Sequence, residues 1–143
     1  MTKASVLFLA VIAILVAPKV LSSMTSNRRM IARGKYLVEN AAMCGDCHTP
    51  HLQNGQPDRA RWLEGATLEF KPLHPMPWAN KAPAIAGLPG LTVQQATKLL
   101  ETGLLPNGQR LLPPMPQFRF SHADAEAIAA YLASLKQPSK ASR

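Results

Sequence analysis

The chain has 143 residues, a formal charge of +8 and only two cysteines. That length favours one domain, and two thiols are too few for a four-ligand zinc site, with no second pair at finger spacing. Thirteen prolines lie well above average usage and point to long irregular connections.

The N-terminus opens with Lys3 and an unbroken run of small and apolar residues from Ala4 to Ala17, closed by Pro18 and Lys19. Such a run suits the core of a signal peptide and falls short of the ~20 residues that cross a bilayer. Residues 1–23 therefore read as a signal peptide, cut near Ser22 or Ser23, or as an N-terminal anchor. Residues 24–137 form the working domain, exported in either case, and 138–143 a frayed tail. Removing Lys3 and Lys19 lowers the charge by two and leaves a basic protein. A basic exported chain suits acidic partner surfaces or an anionic membrane face, and export argues against nucleic acid. The cluster Arg28, Arg29, Arg33 and Lys35 reads as a solvated helix face.

Three helices are expected. The first spans Arg28 to Ala42, capped by Ser26 or Asn27, with Ile31, Gly34, Leu37, Val38 and Ala41 along one side. It leads into Cys44-Gly45-Asp46-Cys47-His48. Two thiols three positions apart can each add to a vinyl group of one porphyrin, and the histidine that follows can ligate its iron. The same Cys-x-x-Cys in a redox dithiol needs a strand before it and a βαβ unit around it. Here a helix precedes the motif and no strand is expected after it.

His51 to Pro83 is a long connection without a regular pattern, which a haem would give a surface to wrap. The second helix starts at Thr92, where Thr92 and Gln95 form a capping box. Its apolar stripe is Val93, Ala96, Leu99 and Leu100, and Gly103 ends it. The third starts at Ser121, with Asp124 supporting the first turn. Ala125, Ile128, Ala129, Leu132 and Leu135 recur at helical spacing, and Pro138 limits its continuation.

This order over Arg28 to Leu135 resembles a class I monohaem c-type cytochrome. The resemblance implies an all-α cytochrome c fold, with three main helices and long Pro-rich loops wrapped around one covalent haem c. It implies Cys44 and Cys47 as thioether attachment sites and His48 as the proximal iron ligand. A sixth ligand is needed for an electron carrier, and methionine raises the reduction potential. Met1 leaves with the signal, Met24 and Met30 precede the motif, and Met43 is too close to Cys44 to reach the opposite haem face. Met76 and Met115 remain. The family's distal methionine lies just before the last helix, which implies Met115, in a loop that Pro113, Pro114 and Pro116 stiffen.

The family also has a proline carbonyl that accepts from the ligating histidine. The segment from Ala82 to Leu88 is similar, so Pro83 takes that role, with alanine where the family has glycine, and Leu88 packs on the haem. Gly34 and Tyr131 mark the crossing of the first and last helices. Trp62, Trp78 and Arg110 are candidates to hold the haem propionates. His51, His74 and His122 read as surface histidines. The function implied is transfer of single electrons between exported redox partners with acidic docking surfaces, steered by residues such as Lys81 and Arg119, without catalysis. The alternatives are an electron-accepting subunit of a periplasmic dehydrogenase or oxidase complex, and a haem enzyme or gas-binding protein with an open iron site.

Overall fold

A computed structural model describes residues 23–135. The signal or anchor segment up to Ser22, Pro138 and the expected tail lie outside the described residues. The chain divides between Met30 and Ile31. In the first unit, residues 23–30 are helical. Ser26 and Asn27 therefore sit inside a helix and cap nothing, because the helical run begins before them.

The second unit is all-α apart from one short ladder. Residues 31–36 form α1, which widens into a π-helical turn over Leu37–Ala41. Leu37 and Val38 of the expected apolar stripe are buried, but Ala41 is exposed. A π turn holds one residue more than an α turn, so the stripe loses its register there. The motif itself makes α2, the single turn Gly45–His48.

Two-residue strands follow, β1 (Ala66–Thr67) and β2 (Lys81–Ala82), paired antiparallel with Ala66 opposite Ala82. They correct the expectation that no strand follows the motif. Two residues are too few to leave an alternation in sequence.

Helix α3 (Val93–Thr102) is bounded as its sequence requires. Thr92 Oγ1 accepts from Gln95 N–H at 3.2 Å, and Gln95 Oε1 accepts from Thr92 N–H at 2.9 Å. Gly103 ends the helix at φ 69°, a left-handed conformation that glycine adopts without a Cβ penalty. Helix α4 (His122–Ser134) begins where Ser121 Oγ accepts from Asp124 N–H. Ala125, Ala127, Ile128, Ala129, Tyr131 and Leu132 are all buried, so α4 is covered on more than one side.

Helix α4 packs on α3 and on the π turn. Its crossing with α1 is set by Gly34, where a Cβ would lie 1.9 Å from the Ala127 carbonyl oxygen and 2.8 Å from Tyr131 Cβ. The core gathers Leu37, Val38, Leu63, Ala86, Leu88, Ala96, Ile128 and Tyr131 around this crossing, with Trp62 and Cys44 packed against it.

Candidate functional site

The α2 turn brings the motif together. His48 N–H donates to the Cys44 carbonyl at 2.9 Å, and Thr49 N–H to that of Gly45 at 3.1 Å. Residues three apart on a helical turn are neighbours, so Cys44 and Cys47 share a side. Both are free thiols and half-buried. Burial pushes the Cys44 thiol up to about 11, against a backbone hydrogen bond and with help from Cys47 and Asp46. Burial, then the Asp46 charge, raises Cys47 as well. Both shifts run opposite to the lowered thiol values of a reactive dithiol.

His48 is buried, and its Nδ1 lies 2.7 Å from the Pro83 carbonyl oxygen. A carbonyl only accepts, so Nδ1 carries the proton and Nε2 keeps its lone pair. Burial lowers the imidazole's proton affinity, partly offset by the Pro83 hydrogen bond. The ring is therefore neutral near pH 7, the form that binds a metal. Pro83 follows β2 directly and is held there by the ladder to β1.

Leu88 is buried in the core at φ 51°. Met115 is half-buried at the end of a turn, where its N–H donates to the Leu112 carbonyl at 3.2 Å. Ala79 N–H donates to the Pro113 carbonyl at 2.8 Å, which ties the Met76–Trp78 segment to the Met115 turn. Met76 itself is exposed and shares a groove with His74 and Trp78. Trp78 Nε1 is buried with no hydrogen-bond partner. Arg110 is exposed, and its guanidinium donates to Gln117 Oε1 at 3.1 Å. His51 and His74 are exposed. His122 is exposed but not alone, since Nδ1 lies 2.6 Å from Glu101 Oε1.

Trp62 sits against the motif rather than at a distance from it. A Cβ on Gly45 would fall 2.2 Å from the Trp62 ring, so only glycine fits beneath that indole. The Arg59 guanidinium stacks over the same indole, 4.0 Å from the Trp62 ring centre. Trp62 Nε1 meets no acceptor in hydrogen-bonding geometry. Burial raises the Tyr131 phenol above its ordinary value, partly offset by the nearby indole and reinforced by the Glu39 charge. Tyr131 donates to Glu39 Oε1 at 3.1 Å.

The sequence reading did not single out Thr49, Leu63 or Gly65. Thr49 and Leu63 are fully buried, and Leu63 N–H donates to Thr49 Oγ1 at 3.0 Å. A glycine in a long loop was the only signal available, and it does not say what approaches it.

A protein-family model described as Cytochrome c matches residues 31–136. The chain belongs to the cytochrome c family. Among curated proteins, this cytochrome is 32% identical over 114 residues to a fructose dehydrogenase cytochrome subunit of Gluconobacter japonicus, covering 76% of the chain. It is 54% identical over 33 residues to a diheme cytochrome c-type protein of Cereibacter sphaeroides, covering 23% of the chain. It spans 22% and 11% of the lengths of those two relatives. The family's cofactor is covalently bound haem c, and its work is electron transfer. The residues of this cytochrome fit such a group: two free thiols, an imidazole with an unprotonated Nε2, and a buried, unpartnered indole N–H at Trp78.

Proposed function

We propose that this cytochrome carries one haem c and passes single electrons between exported redox proteins. The observation that carries the reading is the 2.7 Å bond from His48 to the Pro83 carbonyl, directly behind the Cys-x-x-Cys-His turn. It orients the imidazole and leaves Nε2 to bind iron. Bound haem supplies a ferric–ferrous couple. Cys44 and Cys47 would tether it, and His48 and Met115 would ligate its iron through an imidazole nitrogen and a thioether sulfur. Pro83 orients His48, and Leu88 packs beside the ring. Trp78 offers its free N–H to a propionate, and Arg110, which gives one N–H to Gln117, keeps others for the same use. The single thiol pair in this sequence supports one haem on this domain.

The basic charge suits acidic docking surfaces on those partners. The N-terminal apolar run supports export to the periplasm, with membrane association if that run is retained. Among the described residues no helix is long and apolar enough to cross a membrane. A second reading, an electron-accepting subunit of a dehydrogenase complex, is favoured by the match to the fructose dehydrogenase cytochrome subunit across three quarters of this chain.

A spectroscopically monitored redox titration of the matured protein tests the reading. The wild type should show one single-electron wave and take up neither azide nor cyanide. Met115→Ala should bind both and titrate at lower potential, and Met76→Ala should match the wild type. Two waves, ligand uptake by the wild type, or Met76→Ala behaving as Met115→Ala should would contradict it.

A further inference from the structure

The segment from Trp62 to Thr67 grips both ends of the His48–Pro83 hydrogen bond. On the histidine side, Gly65 N–H donates to the His48 carbonyl at 2.7 Å, and Leu63 N–H donates to Thr49 Oγ1 at 3.0 Å. On the proline side, the Leu63 carbonyl accepts from Ile85 N–H at 2.9 Å and Ala86 N–H at 3.2 Å. The next two residues, Ala66 and Thr67, pair with Lys81 and Ala82, the strand that delivers Pro83. Gly65 is the tightest point. It stands at φ +86°, and a Cβ there would lie 2.7 Å from Ala84 N, 2.8 Å from Ala82 O and 2.9 Å from Pro83 C. These are backbone atoms, so relief of that contact moves the peptide that holds the Pro83 carbonyl.

We propose that Thr49, Leu63 and Gly65 form a positioning strap that sets the His48 Nδ1–H to Pro83 hydrogen bond and, through it, the reduction potential. The inference rests on His48 as the proximal ligand. A donated Nδ1–H pushes electron density onto the ring and strengthens its donation from Nε2. Stronger donation favours the ferric state. A strap that lets the carbonyl drift weakens the bond, and the potential rises. A strap with a merely structural role would change melting and leave the potential alone.

The experiment uses matured, haem-loaded protein with four substitutions. Gly65→Ala adds a methyl against the Pro83 peptide. Thr49→Val keeps the shape but removes the acceptor for Leu63 N–H, and Thr49→Ser restores it. Gly55→Ala is the control for backbone strain, because Gly55 has φ +80° and nothing within 4 Å of its Cβ position. Midpoint potential, the NMR resonance of the His48 Nδ1 proton and melting are measured for each. Gly65→Ala and Thr49→Val should shift the potential upward and move the His48 resonance. Thr49→Ser should return both to wild type, and Gly55→Ala should change melting alone. If Gly65→Ala does not mature, the Thr49 pair decides. Unmoved potential and resonance in Thr49→Val, or an equal shift in Gly55→Ala, overturns the strap. A wild-type spectrum without histidine ligation overturns the assignment of His48 as well, so the two failures are distinct.

Discussion

Arg33 and Asp124 lie 91 positions apart and meet through two parallel hydrogen bonds, Nε to Oδ1 at 2.9 Å and Nη2 to Oδ2 at 3.3 Å. Arg33 is therefore paired although exposed, and not merely one of a solvated basic row. Sequence shows the capping role of Asp124, because that needs only Ser121 three residues before it. The pairing with Arg33 is set by how α1 and α4 cross, which no local pattern records. The Arg33 hydrogen bond, then its charge, hold the Asp124 carboxyl below the usual carboxylate range. A lowered folded-state value means the pair stabilises the protein above the ordinary value and stops doing so as pH falls through the lowered one. Asp124→Asn should melt below the wild type at neutral pH. Melting curves taken down through the acid range should show that difference closing, and a gap constant with pH would contradict the assignment. The motif residues were the most legible of all, since Cys44, Cys47 and His48 lie within one turn. Gly65 was not, because what it touches is far away in sequence.

Helices with their own boundary chemistry were readable. The Thr92–Gln95 capping box and the Gly103 stop are local arrangements of side chain and backbone, and both occur as expected. The π turn at Leu37–Ala41 and the β1–β2 ladder were not readable, because tertiary contacts outweigh propensity in elements this short. Gly34 was legible through the family resemblance, and its reason is steric. A methyl there meets the Ala127 carbonyl of α4, a backbone atom that cannot rotate away. Gly34→Ala should destabilise the holoprotein by about 2–3 kcal/mol through forced separation of the helices. Chemical denaturation of the two proteins measures it, and a loss under about 0.5 kcal/mol, the range of ordinary surface changes, would contradict so close a crossing.

Across the second unit, the fully buried side chains with real bulk are Leu63, Ile128, Val38 and Thr49, while Phe70, Leu73, Met76, Leu104 and Leu112 are exposed. Large apolar side chains left at the surface beside a core of this size suit a fold organised around a big apolar cofactor, with proline-rich loops in place of further helices. The sequence announces that economy through its prolines and single thiol pair, though not the course of the loops. The strap and the ladder serve one end, the placing of Pro83 behind His48, and the helix crossing holds the scaffold on which they rest. All of it turns on the proposal that a porphyrin is bonded to Cys44 and Cys47. The direct measurement is the intact mass of the denatured protein, made with competent c-type maturation machinery and then treated with a thiol-alkylating reagent. One haem should remain on the chain with neither cysteine alkylated. A bare chain with both thiols alkylated would contradict it.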